Sequence, residues 1–455
     1  MLLVLRVLSN FLSRWCSDRD GAVWHYFEHP QSRPAGATSA QDSFLMLPLL
    51  ALFAISFHTN FEGASLGNVD RIDSNHFHCH VKGETDQDGR NRQASWFYFR
   101  VDGAKNQPLT LDLVDLTGEY NYKPTRGSIT KDTLPFYSDD QRTWHELKTA
   151  DFDESVPLQR IHITPKSDRI WIAHVPPYTN RDLTRLLAGI KDSPYLKDAV
   201  VGKSVKGRDI LLLTISDATV SDREKKVIWL MFRQHSWEAG SSWAAEGTIR
   251  FLLSSDPMAR RILRGAIVKV YPMCDPDGVA RGGVRFNVYG YDLNRNWDTV
   301  DPKKMPEITA ERGTILNWID SGHRVNIFLT LHNTETAEYL EGPPDNSNAT
   351  RPQMERLFHL LSETRTFAAT QPPRFDAVST TLGKPGRMNA PQALFHDRKV
   401  PAFLIEQRIA EHPNLGREPT IADRKLFGVE LIQALWTALQ PSEATAAETQ
   451  NVTVR

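Results

Sequence analysis

The feature that most constrains this chain is an alternation of apolar strands and helices over its C-terminal half. Strands that are buried on both faces read as continuous apolar runs, and helices connect and cover them. The alternation therefore predicts an α/β fold, with a mixed, mostly parallel sheet and helices on both faces. Strands are predicted at 227–232, 267–273, 325–331 and 400–405, and helices at 242–253, 311–319, 354–367 and 424–439.

The region before the α/β pattern has a different periodicity. Short apolar or alternating runs separated by turn residues predict an antiparallel β-sandwich domain over 60–180. Asn180 is predicted to cap a helix over 181–190, and the α/β domain is predicted to run over 181–440. Four sandwich strands are predicted at 96–101, 109–116, 160–165 and 169–175, and a further strand of the α/β domain at 210–215.

The two ends of the chain form separate predicted segments. Residues 1–59 are a signal-like or disordered segment, in which the apolar run 43–57 has the length of a secretory signal rather than of a membrane span. If that run is a signal, the protein is secreted or periplasmic; if it is a buried or membrane-proximal segment, the protein is cytoplasmic. No stable membrane span is expected. The tail over 441–455 is rich in Ala, Thr and Glu and is predicted to be disordered.

Composition excludes some classes of function. The net charge of -1 gives no general attraction to nucleic acid, so no nucleic-acid partner is expected. The three cysteines, Cys16, Cys79 and Cys274, are too few for a disulfide framework and lack the spacing of a thiolate zinc site.

Three possible metal ligands follow apolar strands. His235 and Glu238 come after strand 227–232, and His332 comes after strand 325–331. The carboxyl ends of parallel strands meet at one edge of a sheet, where α/β proteins build their sites. Two His and one Glu leave a fourth zinc position open, which is the pattern of a catalytic site. For either histidine alone, the alternative is a polar residue satisfied at the sheet edge.

A second group is cationic. Arg285, Asn294 and Arg295 lie in a segment punctuated by glycines. The planar guanidinium of Arg fits a carboxylate with two parallel hydrogen bonds, and Asn adds amide donors. These residues predict a site that holds a carboxylate.

An acidic residue ends the last apolar strand. Glu406 follows 400–405, and burying a carboxylate is costly unless it has a partner or a role. Burial and nearby charge would adjust its pKa for general base catalysis on an attacking water. The alternative is a structural salt bridge to Arg387 or Arg408.

Taken together, these motifs resemble the zinc carboxypeptidase family in order and spacing. The preceding segment VGKSVKGRD (201–209) resembles the entry segment of that family. The region with WFYFRV (96–101) and PPYT (176–179) resembles the N-terminal domain of the cytosolic carboxypeptidase branch. The resemblance covers about 60–440 and rests on HSWE (235–238), DPDGV (275–279), Arg285, DLNRNW (292–297), His332 and Glu406.

The resemblance implies a zinc carboxypeptidase-like fold and a role for each matching residue. The substrate would be the C-terminus of a peptide or protein, and one zinc ion would be the cofactor. The implied roles are zinc binding for His235, Glu238 and His332, carboxylate binding for Asn294 and Arg295, polarisation of the scissile carbonyl for Arg285, and general base catalysis for Glu406.

The chain also departs from the family pattern. Ser236 and Trp237 stand between the first two ligands, and Asp275 stands where Asn is usual. The stretch 390–402 contains no Tyr, so no catalytic Tyr is assigned. Lys384 and Arg387 are candidates for reading an acidic C-terminal side chain, which the cytosolic branch does with a basic residue.

Three functions follow, in order of preference. The first is a zinc carboxypeptidase that removes single C-terminal residues, with a preference for acidic ones. The second is a zinc amidase acting on cell-wall peptides or acylated amino acids. The third is a module that binds a C-terminus without cutting it. The sequence does not specify the oligomeric state.

Overall fold

A computed structural model describes residues 55–342, 350–375 and 384–441. Most of the predicted signal-like run and nearly all of the predicted tail lie outside these residues. The described part of the apolar run includes β1 (Ser56–His58), which pairs with a strand of the β-sandwich. The sandwich thus starts a few residues before the predicted boundary at 60. Among the described helices, none combines the length and apolarity needed to cross a bilayer.

The β domain contains two five-stranded sheets and a smaller four-stranded sheet. Its strands after β1 are β2 (Val69–Arg71), β3 (His76–His80), β4 (Glu84–Thr85), β5 (Arg92–Gln93), β6 (Tyr98–Asp102), β7 (Leu109–Val114), β8 (Gly118–Tyr120), β9 (Lys123–Thr125), β10 (Phe136–Ser138), β11 (His145–Glu146), β12 (Ala150–Asp153), β13 (Leu158–Ile163) and β14 (Arg169–Ala173).

The two larger sheets pack face to face as the predicted sandwich. Their orders are β1-β6-β14-β10-β11 and β12-β13-β7-β3-β2. Inward side chains such as Phe99, Leu111 and Ile172 are fully buried between them, which alternation along each strand produces. The pair β3–β7 is parallel, so the sandwich is antiparallel with this exception.

The smaller sheet has the order β4-β5-β8-β9. Its strands are two or three residues long and largely exposed. Residues of this sheet and its connections line the large cleft of the α/β domain. The β domain therefore contributes one wall of that cleft.

The α/β domain follows the β domain, and its strands alternate with helices as the sequence predicts. Its strands are β15 (Leu196–Lys203), β16 (Asp209–Ile215), β17 (Lys226–Phe232), β18 (Ala266–Tyr271), β19 (Ile327–Thr334), β20 (Tyr339–Glu341) and β21 (Ala402–Arg408). Its helices are α1 (Asn180–Ile190), α2 (Ala239–Leu252), α3 (Pro257–Gly265), α4 (Pro276–Arg281), α5 (Pro306–Asp320), α6 (Arg351–Ser362), α7 (Ala390–Arg398) and α8 (Ile421–Ala438), with a short 3-10 turn at Asp222–Glu224.

These strands form one mixed seven-stranded sheet in the order β15-β16-β18-β17-β19-β21-β20. The four strands β18, β17, β19 and β21 run parallel, and antiparallel strands flank them on both sides. The parallel strands are buried almost throughout, as their continuous apolar sequences predict. Their carboxyl ends meet at one edge, which carries the candidate site.

The structure moves several predicted boundaries. Thr179, not Asn180, is the N-cap of α1, where Asp182 completes a capping box. His332 and Glu406 lie within β19 and β21 rather than after them, because the two strands continue pairing beyond their apolar runs. The helices α3, α4 and α7 and the strands β15 and β20 were not predicted.

Candidate active site

The loop between β17 and α2 carries the first two candidate ligands. Arg233 directly follows β17 with a left-handed φ of 62°, which turns the chain away from the strand. Its buried guanidinium donates to the carbonyl of Ser236 at 3.0 and 2.7 Å and thereby closes the loop. Glu238 is the N-cap residue of α2. The loop therefore holds His235 and Glu238 against the sheet edge.

The structure brings His235, Glu238 and His332 together as predicted. One ligand atom from each lies within 4.8 Å of the other two, and all three side chains are buried. The two carboxylate oxygens of Glu238 lie 2.7 Å from Nδ1 of His235 and 2.9 Å from Nδ1 of His332. The two Nδ1 atoms are 3.2 Å apart. Ligand atoms around a tetrahedral zinc ion are about 3.3 Å apart, so this spacing fits such an ion.

The outer nitrogen of each ring lies beside an acceptor oxygen. His235 Nε2 is 3.0 Å from Asp292 Oδ1. Gln234 donates through Nε2 to the carbonyl of Leu293 and so presents Oε1 to His332 Nε2, 3.1 Å away. Nδ1 of each ring faces the other ring and the carboxylate of Glu238. That arrangement of donors fits a divalent cation, and the acceptors behind it are those expected around a metal-binding His.

The charges in the cluster follow from burial and from these contacts. Burial raises the pKa of Glu238, but the two facing histidines outweigh it and lower that pKa to about 2. Burial lowers the pKa of His332. Burial and Arg285 also act to lower the pKa of His235, but Glu238 and Asp292 outweigh them and raise it. Burial also raises the pKa of Asp292, but Arg285 and His235 outweigh it and hold that pKa well below its usual range.

A second cluster of this kind lies in the β domain. His76 and His78 on β3 face Asp112 on β7, and their ligand atoms meet the same spacing limit. Arg160 already binds both oxygens of Asp112, at 2.7 and 2.8 Å. An ion pair therefore occupies this carboxylate, and we identify the cluster at the α/β sheet edge as the candidate metal centre.

Glu406 lies beside the metal cluster. In the parallel pair β19–β21 it is the register partner of His332. Burial raises the pKa of Glu406 well above its usual range, and the charge of Glu238 adds to this, while Arg285 opposes it. Among the described residues, its Oε2 has no hydrogen-bond partner. The salt-bridge alternative therefore has no support in the recorded ion pairs, and the carboxyl group is placed to exchange protons near the cluster.

Arg285 reaches the cluster through Asp292. Its Nε donates to Asp292 Oδ2 at 2.7 Å, while Asp292 Oδ1 accepts from His235. One carboxylate thus orients both a candidate ligand and the cation predicted to polarise a carbonyl. Sequence reasoning missed Asp292, although an acid within DLNRNW, close to two predicted site residues, was the signal for it.

The remaining predicted site residues lie in two places, the cleft and the interior behind the metal cluster. Arg295 and Arg387 line the cleft with Arg285. Asn294 lies behind the cluster, where its Nδ2 is 3.2 Å from His332 Nε2 and its Oδ1 accepts from the backbone of Ala390. The three arginines supply cationic donors to one cleft, whereas the amide of Asn294 has partners inside the fold.

The cleft has a volume of about 540 Å³ and lies between the two domains. The α/β domain contributes the cluster and the arginines that surround it. The segment with Arg387 is held in place because Asp298 accepts from Gly386 N at 2.9 Å and from Met388 N at 3.3 Å. The β-domain wall carries charges of both signs, from Arg90, Arg92, Arg126, Asp86 and Glu119.

Family models match both parts of this chain. A family model described as zinc carboxypeptidase matches residues 191–381, and one described as cytosolic carboxypeptidase N-terminal domain matches residues 57–174. The chain is 26% identical over 374 residues to an uncharacterized protein of Zymomonas mobilis, covering 79% of this chain and 90% of that protein. It is 26% identical over 294 residues to cytosolic carboxypeptidase 6 of Mus musculus, covering 61% of this chain and 53% of that protein.

Solved structures agree on the fold. The metallo-carboxypeptidase of Burkholderia cenocepacia matches with a TM-score of 0.72 and 21% identity, over 85% of this chain and 99% of that chain. A metallo-carboxypeptidase of Pseudomonas aeruginosa matches with a TM-score of 0.70 and 22% identity, over 85% of this chain and 100% of that chain.

A buried His-Glu-His cluster at the carboxyl edge of an α/β sheet has the residue types and the position expected of a catalytic metal site. The chain belongs to the zinc carboxypeptidase family and carries the N-terminal domain of the cytosolic carboxypeptidases. It spans only about half the length of the mouse cytosolic carboxypeptidase that it matches.

Proposed function

We propose that this protein is a zinc-dependent carboxypeptidase that hydrolyses the last peptide bond of a peptide or protein. The observation that carries the proposal is the convergence of the His235, Glu238 and His332 ligand atoms beside Glu406, in a cleft lined by arginines. One zinc ion bound by these three side chains would act as a Lewis acid towards the scissile carbonyl and lower the pKa of water.

The carboxylate of the substrate would fix the position of the cut. Arg295 would bind this carboxylate, because it lines the cleft and Arg fits a carboxylate with two hydrogen bonds. Asn294 is proposed to assist indirectly, because its amide has partners inside the fold, among them His332. A peptide without a free C-terminus would lose these contacts.

Two side chains would then carry out the bond exchange. Glu406 would take a proton from the attacking water while the oxygen of that water bonds to the carbonyl carbon. Arg285 would stabilise the negative charge that develops on the carbonyl oxygen. Glu406 would pass the proton to the leaving nitrogen as the C–N bond breaks, which returns the carboxylate to its starting state.

A preference for acidic C-terminal residues is the finer part of the proposal. Arg387 is the candidate for reading the side chain, since it lines the cleft and Asp298 holds the backbone of its neighbours Gly386 and Met388. Lys384 belongs to the same turn, and its carbonyl accepts from Arg387 N, but it does not line the cleft. Lys384 is therefore a matched control for Arg387.

The experiment is amino-acid release from peptides that differ only in their last residue, Glu, Lys or Phe. We expect release from peptides with a free C-terminus, no release from the C-terminally amidated twins, and loss of release with a chelator. Arg387→Met should lower kcat/KM for the Glu peptide by about 10- to 100-fold relative to Phe, and Lys384→Met should not.

Other outcomes assign the alternatives. Cleavage of acylated amino acids or cell-wall peptides without cleavage of the simple peptides would make the protein an amidase. Tight binding of free C-termini without release by the zinc-loaded protein would make it a binding module. Equal rates on the Glu and Phe peptides would remove the acidic preference and leave the carboxypeptidase activity standing.

A further inference from the structure

The backbone beside Arg285 is held by a carboxylate from the β domain. Oε2 of Glu84 accepts from the backbone N–H groups of Val284, Arg285 and Phe286, at 3.0, 2.6 and 2.8 Å. The side chain of Glu84 is 10% exposed and also pairs with Arg281. Roughly 200 residues of chain separate the two sides of this contact, so no local constraint produces it.

Three successive N–H groups that point at one oxygen form an anion-binding concavity. Hydrogen bonds to a charged acceptor are stronger than those between neutral groups. The three hydrogen bonds to Glu84 therefore stabilise one conformation of the backbone at 284–286. The side chain of Arg285 is held separately, through Nε, by Asp292. Glu84 and Asp292 thus hold Arg285 at its two ends.

The same segment touches the loop that carries the metal ligands. The carbonyl of Val284 accepts from the N–H of Trp237, between the first two ligands, at 2.9 Å. The Trp237 ring stacks on His174, with centroids 5.8 Å apart and an interplanar angle of 15°. The β domain therefore contacts both the segment of Arg285 and the ligand loop.

We propose that Glu84 is a positioning residue for the reaction and places the guanidinium of Arg285 where negative charge develops. This inference rests on the proposed function, because it assumes that Arg285 acts on the scissile carbonyl. Glu84 does not line the cleft, so it acts through Arg285 rather than on substrate. The β domain then supplies part of the catalytic geometry as well as a wall of the cleft.

The test compares Glu84→Gln and Glu84→Ala with wild type, each loaded with zinc. Loss of transition-state stabilisation lowers kcat and leaves KM nearly unchanged. We expect kcat to fall about tenfold for Gln and about 100-fold for Ala, since small misplacements near the chemistry have effects of that size. Affinity for a phosphonate analogue of the peptide should fall by the same factor as kcat/KM, while affinity for the product amino acid should not change.

Glu62 provides the matched control. Its carboxylate also comes from the β domain, is 17% exposed, and accepts from Asn180 Nδ2 of the α/β domain at 2.8 Å. Glu62→Gln removes the charge from an interdomain contact whose partners, Asn180 and Arg181, lie outside the segment 284–286, so kcat should stay near the wild-type value. Equal losses for Glu62→Gln and Glu84→Gln, or a change in KM alone, would overturn the inference.

Amide hydrogen exchange separates this inference from the proposed function. In Glu84→Ala, exchange at 284–286 should accelerate while the zinc content stays at the wild-type level. If the wild type releases no amino acid, the proposed function fails, and unchanged exchange at 284–286 would still refute the holding role of Glu84. An active wild type with a fully active Glu84→Ala would refute the inference alone.

Discussion

Within the described part of the chain, two groups of two histidines and one carboxylate have metal-ligand spacing, and they differ in what already neutralises the carboxylate. In the cluster of the β domain, Arg160 binds both oxygens of Asp112, and the side chains of His76 and His78 are 24% and 38% exposed. At the sheet edge, the carboxylate of Glu238 meets only two imidazole nitrogens in its recorded hydrogen bonds, and the cluster is buried.

The difference shows why ligand type and spacing do not suffice to identify a metal site. Both clusters offer two imidazoles and a carboxylate within 4.8 Å. A guanidinium supplies the positive charge in one, so a dication there would compete with an ion pair. In the other, acceptor oxygens lie behind both rings and both Nδ1 atoms face the Glu238 carboxylate, an arrangement that suits a cation. The supporting contacts decide the role.

The largest expected effect comes from removing a ligand at the sheet edge. His332→Ala should reduce amino-acid release by about 10⁴-fold or more, because the Lewis acid is lost from the site. His78→Ala, the same substitution in the β-domain cluster, should leave the rate within about twofold. Similar losses in both variants, measured with the same peptide and zinc supply, would erase the distinction between the clusters.

Glu406 has no counterpart in the β-domain cluster, so its removal tests what makes the sheet edge catalytic. Glu406→Gln should lower kcat by about 10²- to 10⁴-fold, the usual contribution of a general base. Zinc content should not change, because the candidate zinc ligands are His235, Glu238 and His332 and do not include Glu406. A fully active Glu406→Gln protein with zinc bound would contradict the role given to this residue.

Asp292 tests the importance of the contacts behind the ligands. Asp292→Asn keeps the shape of the side chain but removes the charge that His235 and Arg285 share. Zinc affinity should fall about 10- to 100-fold, the usual effect of losing such a partner. Competition with a chromophoric chelator measures this affinity. Unchanged affinity would mean that the ligands alone set it.

The smallest effect concerns the ion pair of the β-domain cluster. Burial raises the pKa of Asp112, but Arg160 and His76 outweigh it, so its pKa in the folded protein lies below the usual value. A depressed folded pKa stabilises the fold above the unfolded pKa of about 3.9, and this stabilisation is lost as the pH falls through the folded value.

Arg160→Met should therefore destabilise the protein at pH 7 by about 1 to 3 kcal/mol, with a smaller deficit near pH 3. Chemical unfolding at the two pH values measures the difference, and zinc content and activity at pH 7 should match wild type. A deficit that grows towards pH 3 would reverse the assigned sign.

The α/β pattern and the grouping of the site residues could be predicted from the sequence. Apolar strands that end in polar residues bring those residues to one sheet edge, so His235, Glu238, His332 and Glu406 were predicted as neighbours. The helix α3 was not predicted, although Asp256 caps it and Pro257 begins it.

Contacts between distant segments were not predictable. Glu84 reaches Arg285 across about 200 residues, and Gln234 and Asp292 contact the outer nitrogens of His332 and His235. Asn294 was expected in the cleft, but the structure gives both ends of its amide internal partners. Such contacts depend on packing that local pattern does not encode.

The most direct test is the zinc content of purified protein, measured by mass spectrometry after dialysis against buffer of fixed free zinc. Three samples are compared: wild type, the double variant His235→Ala/His332→Ala, and the double variant His76→Ala/His78→Ala. The account predicts about one zinc per chain for wild type and for the β-domain variant, and none for the sheet-edge variant. Retention of zinc by the sheet-edge variant, with loss from the β-domain variant, would contradict it.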